Sequence, residues 1–140
     1  MNLPESINEQ LKFESKLNNV NNVESIVDDV CEKLQINDDF YGNMLIAITE
    51  AVNNAIKHGN KDDSNKAVLF SYETLENDLL FTIKDEGSGF DFNNIPDPTI
   101  PENINKVNGR GVFIMKSLAD EVTFTENGTC VKLKFSVSYN

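Results

Sequence analysis

Residues 50–59 read Glu-Ala-Val-Asn-Asn-Ala-Ile-Lys-His-Gly, and this stretch decides the fold. It closes a predicted helix that runs from about residue 39 to residue 57. The apolar stripe of that helix consists of Met44, Ile48, Val52 and Ala55. Glu50, Asn54 and His58 recur at intervals of four, which places them within about 80° of one another on a helix. One helix face can therefore pack on a sheet while the other presents a carboxylate beside an amide.

A carboxylate and an amide one helical turn apart suit phosphate chemistry. Magnesium prefers oxygen ligands and keeps several waters, so the amide oxygen of Asn54 together with nucleotide phosphates would fit its habits. Glu50, one turn earlier, is well placed to take a proton from an attacking hydroxyl or water. The alternative is a solvated helix face, because Glu, Asn and Lys are common on exposed helix surfaces.

A second stretch, Asp85-Glu86-Gly87-Ser88-Gly89-Phe90, follows directly on a predicted strand. An aspartate at a strand end can accept a hydrogen bond from an exocyclic amine. Gly87 and Gly89 would let the backbone turn sharply and approach a flat ligand closely. The alternative is a plain turn between two elements.

A third stretch, Asn108-Gly109-Arg110-Gly111-Val112-Phe113, opens a helix predicted from Gly111 to about Asp120. Free N–H groups and the positive end of the helix dipole would face an incoming phosphate, and Arg110 adds a local cation. The alternative is a flexible hinge before a helix. Thr129, in the last hairpin, could reach a base through water, although a simple turn explains it equally well.

The remaining sequence predicts the order β, α, α, β, β, lid, α, β, β. Besides the two helices above, the predicted elements are a strand at 9–17, a helix at 23–34 capped by Asn21 or Asn22, strands at 66–74 and 79–84 joined by a turn at 76–78, a long loop at 91–108, and a hairpin of 122–125 with 129–137. Hairpin strands with grouped helices favour an α+β fold, in which an antiparallel or mixed sheet is covered by helices on one face.

The length, net charge and composition of the chain restrict the class of protein to which it can belong. The 140 residues suit one domain, and a net charge of −11 gives no general attraction to nucleic acid or an anionic membrane. His58 is the single histidine, and Cys31 and Cys130 form no C-x-x-C pair, so a zinc site is disfavoured and buried free thiols are expected. The sequence has no signal-peptide core and no apolar run of membrane-spanning length, which predicts a cytoplasmic protein.

The motifs together resemble a known family. Glu-x-x-x-Asn-Ala-x-x-His-Gly, Asp-x-Gly-x-Gly, a lid, Gly-x-Gly and Gly-Thr occur in this order across residues 39–135. They resemble the GHKL ATP-binding family, which includes DNA gyrase B, Hsp90, histidine kinases and MutL. Within it, residues 96–103 and 109–122 resemble the lid and helix of bacterial anti-sigma-factor serine kinases. The resemblance implies one domain over 1–140 with the Bergerat fold, a two-layer α+β sandwich with an ATP lid.

The resemblance also implies roles for individual residues, with ATP and Mg²⁺ as cofactors. Glu50 would be the catalytic base, Asn54 the magnesium ligand, and Asp85 the acceptor for the adenine amino group. The residues implied to contact the nucleotide are Asn54, Lys57, His58, Asp85, Gly87, Gly89, Phe90, Gly109, Arg110, Gly111, Val112, Phe113 and Thr129.

The implied function is that of a serine/threonine protein kinase and anti-sigma factor. It would phosphorylate an anti-anti-sigma protein of the STAS fold, bind a sigma factor and form a homodimer, without direct contact to nucleic acid or membrane. Two alternatives stay open: a regulator that binds ATP and a partner without phosphorylating it, and a stand-alone ATPase. A histidine autokinase is disfavoured because His58 lies inside the first motif.

Overall fold

The computed structural model describes residues 8–14, 20–89 and 109–138. The helices are α1 (Val20–Lys33), α2 (Tyr41–Asn54) and α3 (Gly109–Leu118). The strands are β1 (Asn8–Glu14), β2 (Ala67–Leu75), β3 (Asp78–Lys84), β4 (Glu121–Thr125) and β5 (Cys130–Ser136). A short 3-10 turn, Asp38–Phe40, precedes α2, a π turn, Ala55–Gly59, follows it, and a second 3-10 turn, Glu126–Gly128, joins β4 to β5.

The five strands form one sheet in the order β1-β2-β3-β5-β4, and every neighbouring pair is antiparallel. One row of paired residues crosses all five strands: Glu9, Tyr72, Phe81, Leu133 and Val122. The predicted α+β class is therefore confirmed, and of the two sheet types left open the antiparallel one is present.

One face of the sheet is buried under the helices. In β3, Leu79, Phe81 and Ile83 are buried, and the residues between them are partly exposed, as expected when side chains alternate across a sheet. The ring of Phe81 lies at the centre of this face. Its centroid is 5.8 Å from that of Phe70, 6.1 Å from that of Tyr72 and 6.0 Å from that of Phe135.

The apolar stripe predicted for α2 is buried as expected. Met44, Ile48, Val52 and Ala55 are all 5% exposed or less and belong to the main core. Because α2 turns this stripe inward, its polar residues are left at the side of the helix. The position of the site therefore follows from the way α2 packs.

Two helices begin earlier than predicted. Helix α1 starts at Val20, so Asn21 and Asn22 lie inside it and do not cap it. Val20 stands three residues before the buried Val23 and continues the same spacing by one turn. Helix α3 starts at Gly109, so the whole Gly-x-Gly motif lies in its first turn. The strand bounds differ from the predicted ones by a few residues, and the β2–β3 turn contains only Glu76 and Asn77.

The end of α2 also differs from the prediction, which continued a regular helix to Lys57. Regular α geometry ends at Asn54, and the next five residues form the wider π turn. The turn closes where the N–H of Asn60 donates to the carbonyl of Ala55 at 2.8 Å, and Asp62 N–H donates to Ile56 O at 2.8 Å. The N–H of the buried Asn60 closes this wider turn, so the regular helix does not continue through His58.

Other predictions concern segments or properties outside this architecture. Phe90 and the predicted lid at 91–108 lie outside the described residues. Cys130 is buried and Cys31 is partly buried, and both are free thiols. Among the described helices, none combines the length and the apolar character needed to cross a membrane.

Candidate functional site

A cleft lies beside α2 and its π turn, against the ends of β3 and β5. Its empty volume is about 460 Å³, including the open space at its mouth. Three separate stretches of the sequence meet here: the end of α2, the segment after β3, and the turn before β5. Five of the residues selected from the sequence line it, namely Asn54, His58, Asp85, Gly89 and Thr129.

The remaining walls of the cleft are largely apolar. They are formed by Ala51, Ala55, Ile83, Met115, Phe124 and Val131, and apart from Ala55 none of these is a defined position of the motifs. An apolar cleft with a few converging polar groups is the usual form of a site for a small organic ligand. Walls of this kind can accept a flat aromatic group, such as a nucleotide base.

Asp85 is held at the edge of the cleft by hydrogen bonds on both sides. Its N–H donates to the carbonyl of Thr129 at 2.9 Å, which ties it to the start of β5. The N–H of Gly87 donates to Asp85 Oδ1 at 2.8 Å and orients the carboxylate. Burial raises the pKa of Asp85, although the bond from Gly87 and the charge of Lys66 oppose this effect. The carboxylate is therefore fixed as an acceptor and partly stripped of water.

Close backbone approach explains the glycine at the end of the π turn. A Cβ on Gly59 would overlap the carboxylate of Asp85. Only glycine leaves room for this carboxylate to lie directly against the turn. Gly59 therefore serves the site through the space it leaves, in addition to ending the helix.

Gly89 is required by its backbone conformation. Its φ angle is +86°, and a Cβ there would overlap the carbonyl oxygen of Asn127. A positive φ and a crowded Cβ position both favour glycine. The loop after β3 is thereby pressed against the β4–β5 turn, where the hydroxyl of Thr129 donates to Glu126 O at 2.8 Å. That bond uses the hydroxyl hydrogen and leaves the oxygen free to accept a further hydrogen bond.

Asn54 lies where α2 meets α3. A Cβ on Gly111 would be 2.8 Å from Asn54 Nδ2 and 3.1 Å from Asn54 Oδ1. Because Gly111 has no side chain, the first turn of α3 approaches the amide directly. The predicted phosphate-binding turn and the predicted magnesium ligand are thus in contact.

The other selected residues lie around this centre. Glu50 is half-buried one helical turn before Asn54, on α2, and does not line the cleft. Lys57 and Arg110 are exposed, and Val112 is buried in the core. Phe113 is an exposed large hydrophobic residue, with 47% of its surface accessible.

His58 stands at the mouth of the cleft. Its ring is largely exposed, but partial burial lowers its pKa, and the charge of Lys57 acts in the same direction against the opposing effect of Asp62. The imidazole is therefore neutral at neutral pH and can donate or accept a hydrogen bond.

One polar residue of the site is absent from the motifs. Asn60 is fully buried, and its side chain joins two segments: Glu86 N–H donates to Asn60 Oδ1 at 2.7 Å, and Asn60 Nδ2 donates to Ala67 O at 2.9 Å. Both of these partners are backbone groups, and Glu86 lies 26 positions further along the chain. An asparagine after His-Gly looks like an exposed turn residue, so the sequence carries no signal of this role.

The residues present fit ATP and magnesium. Within residues 8–14, 20–89 and 109–138, no three His, Cys, Asp or Glu side chains cluster closely enough to hold a metal ion. A magnesium ion here would thus need phosphate oxygens and waters besides the Asn54 amide, which agrees with its coordination habits. The space that Gly111 leaves beside Asn54 suits such a group.

The chain is similar to known proteins in sequence and in fold. The model of the histidine kinase-like ATPase domain family matches residues 13–135. Two curated relatives, the serine-protein kinase RsbW of Staphylococcus aureus strains JH9 and Newman, are each 36% identical over 96 residues, which is 63% of this chain. The match spans 60% of the length of those relatives.

A solved structure shares the fold. It contains the RsbU and RsbW domains of a Mycobacterium tuberculosis protein, and the match covers 96% of this chain and 34% of that one. The TM-score is 0.69 and the sequence identity 16%, so this likeness concerns the fold alone. The match to the family model over residues 13–135 shows that the chain belongs to the histidine kinase-like ATPase domain family, a GHKL fold whose membership implies ATP binding.

Proposed function

We propose that the chain is a magnesium-dependent serine/threonine protein kinase that phosphorylates an anti-anti-sigma protein of the STAS fold and acts as an anti-sigma factor. Its serine-protein kinase relatives support the reaction class, and the resemblance of its motifs to anti-sigma-factor kinases supports the partner class. The single observation that carries the proposal is the arrangement on α2. Glu50 stands one turn from Asn54, which lines the cleft and contacts the first turn of α3.

Each residue then has a chemical task. Asp85 accepts a hydrogen bond from the adenine amine, and the apolar walls exclude water from the base. Asn54 offers its amide oxygen to a metal ion, and Glu50 accepts the proton of the attacking hydroxyl. When bound, ATP would supply the phosphoryl group and magnesium would offset its negative charge.

The position of Glu50 favours a protein substrate. Glu50 is only half-buried and is not among the residues that line the cleft. A hydroxyl carried by a second protein can therefore approach this carboxylate without entering the cleft. The same surface would hold a sigma factor when the antagonist is phosphorylated.

We also propose a wider context for this reaction. Residues 1–140 would form a single ATP-binding domain that acts as a homodimer in the cytoplasm and makes no direct contact with nucleic acid or membrane. The net charge of −11 supports the last point, because an acidic chain repels polyanions. Light scattering of the purified chain tests the dimer.

The decisive experiment is phosphoryl transfer from γ-labelled ATP to a purified STAS-fold antagonist in the presence of magnesium. We expect label on the antagonist with the unmodified chain and with Glu24→Gln, a control at an exposed carboxylate on α1. Glu50→Gln should bind ATP normally and reduce transfer at least 100-fold, within the range of a general base. Transfer that survives in Glu50→Gln would remove this residue as the base.

Two results would select the alternatives. Tight ATP binding that changes partner affinity without any labelled product would identify an ATP-gated binding protein. Steady ATP hydrolysis without a partner, unchanged when the antagonist is added, would identify a stand-alone ATPase. Either result would contradict the kinase proposal and leave family membership intact.

A further inference from the structure

We infer that Asn60 is a positioning residue that sets the Asp85 carboxylate for selection of the adenine base. The inference rests on the proposed function, because it concerns how the same site chooses its nucleotide. Asn60 is 0% exposed and lies directly after Gly59 at the end of the π turn.

The two backbone N–H groups that flank the Asp85 side chain are both fixed. Asp85 N–H donates to Thr129 O at 2.9 Å, and the next N–H along the chain, that of Glu86, donates to Asn60 Oδ1 at 2.7 Å. Removal of the second bond would let the peptide unit after Asp85 rotate. The direction of the carboxylate toward a ligand therefore depends on the side chain of Asn60.

Asn60 is itself anchored to the scaffold. Its Nδ2 donates to Ala67 O at 2.9 Å, at the first residue of β2, and its own N–H closes the π turn at Ala55 O. A backbone N–H can only donate and a carbonyl can only accept, so these partners fix which amide atom is oxygen and which is nitrogen. The amide links the helix end, the sheet and the Asp85 loop.

Asn60 also aligns a second feature with Asp85. The adjacent Gly59 lies against the carboxylate so closely that a Cβ there would overlap it. Rotation of the loop would press the carboxylate into the turn or move it away from the cleft. Asn60 thus sets the carboxylate relative to Gly59 as well as relative to the ligand.

The test compares ATP with inosine triphosphate, which has an oxo group where adenine has its amine. A site built to accept a hydrogen bond from that amine discriminates against the analogue. We expect the full-length chain to bind ATP at least about tenfold more tightly than inosine triphosphate. Asn60→Ala should reduce this ratio of affinities about tenfold, chiefly by weakening the binding of ATP. The displaced carboxylate would no longer accept a hydrogen bond from the adenine amine.

A matched control separates positioning from general destabilisation. Val68 is a buried core residue of β2, next to Ala67 but outside the cleft walls. Val68→Ala should lower stability while it keeps the ratio within about twofold of the unmodified chain. Asn60→Asp retains an oxygen for Glu86 N–H, so its ratio should exceed that of Asn60→Ala. An Asn60→Ala protein that folds and keeps the original ratio would overturn the inference.

A measurement on the unmodified chain needs no variant. The amide of Glu86 should exchange with solvent slowly, because a buried side chain accepts its hydrogen bond. Free exchange at this amide would overturn the inference. A chain that binds no ATP at all would overturn the proposed function and this inference together, whereas an unchanged nucleotide ratio overturns the inference alone.

Discussion

The side chain of Asn54 on α2 contacts the backbone of Gly111 on α3, at a point where a Cβ would stand 2.8 Å from Asn54 Nδ2. The contact joins two stretches of sequence that are 57 positions apart by number (111 less 54) and that carry two different motifs. A Cβ at residue 111 would press on the amide of Asn54, so a side chain there must displace this amide. The contact therefore offers a direct test of the site.

Gly111→Ala should weaken magnesium-dependent ATP binding at least about tenfold without lowering stability. Alanine favours a helix over glycine by up to about 1 kcal/mol, which offsets part of the strain at Asn54. Titration calorimetry of ATP with and without magnesium measures the affinity, and urea unfolding measures the stability. The affinity should fall most when magnesium is present.

Gly42→Ala is the matched control for that substitution. Gly42 also lies in the first turn of a helix, and nothing stands within 4 Å of its added Cβ. It should raise stability by about 0.5–1 kcal/mol and leave ATP affinity unchanged. Equal affinity losses in both variants would show that the Asn54 contact has no special role.

Asp85→Asn should stabilise the nucleotide-free protein at neutral pH. Burial raises the pKa of Asp85 in the folded state, so its ionised form costs stability above that raised pKa. The cost decreases as the pH falls through the raised pKa and disappears below the ordinary value of 3.8, where both states hold the proton. The gain from Asn should therefore be largest near pH 7 and vanish near pH 4, as measured by denaturant unfolding at each pH.

The same variant should lose ATP affinity by about tenfold or more. Asparagine Oδ1 can still accept the bond from Gly87 N–H, which leaves an amide nitrogen facing the adenine amine, and two donors cannot pair. A gain in stability that is constant from pH 4 to pH 7 would contradict the role of ionisation.

His58→Gln should make the protein less sensitive to mild acid. Partial burial and Lys57 lower the pKa of His58 below its ordinary value of 6.5, so the unfolded chain takes up a proton first as the pH falls. The stability that neutral His58 contributes is present in full above pH 6.5. It is lost as the pH falls from 6.5 through the lowered pKa of His58 in the folded state. Thermal unfolding at pH 7.5 and pH 5 should show a smaller decrease in the variant, and an identical decrease in both proteins would count against this account.

Phe81→Ala should reduce stability by about 3–5 kcal/mol, as is typical of large aromatic truncations in a core. Phe81 is fully buried, and its ring packs with those of Phe70, Tyr72 and Phe135. Thr82→Ala, a partly exposed neighbour on the opposite face of β3, should change stability by less than about 1 kcal/mol. Urea unfolding measures both, and similar losses at the two positions would contradict the assignment of faces.

The parts of this structure that could be predicted from the sequence are those in which apolar residues recur at a regular spacing. The apolar stripe from Met44 to Ala55 has helical periodicity, which predicted the buried face of α2. Buried and exposed side chains alternate along β3, as expected for the hairpin around Glu76 and Asn77 that helped to predict the fold class. The grouping of Asn54, Asp85 and Thr129 followed from motif resemblance and not from periodicity. Their roles in binding stay predictions.

The unpredicted parts depend on contacts between distant backbone groups. Asn60 is buried because Glu86 N–H and Ala67 O lie on either side of it, and backbone groups carry no residue-specific signal. The π turn has the same origin, since it places Asn60 between those partners. The start of α3 at Gly109 was not predicted because glycine has a weak helix propensity.

Because of the π turn, the number of residues between α2 and β2 cannot change without a change in the structure. A π turn holds one residue more per hydrogen-bonded ring than an α turn, so deletion of a single residue from Ala55–Gly59 would let the helix continue regularly. Every later residue would then rotate by about 100° around the helix axis, and Asn60 would face away from β2. Surface loops of most proteins accept insertions and deletions, but the number of residues in this connection is fixed by the π turn. Homologous chains with a connection of different length would need another way to hold the loop after β3.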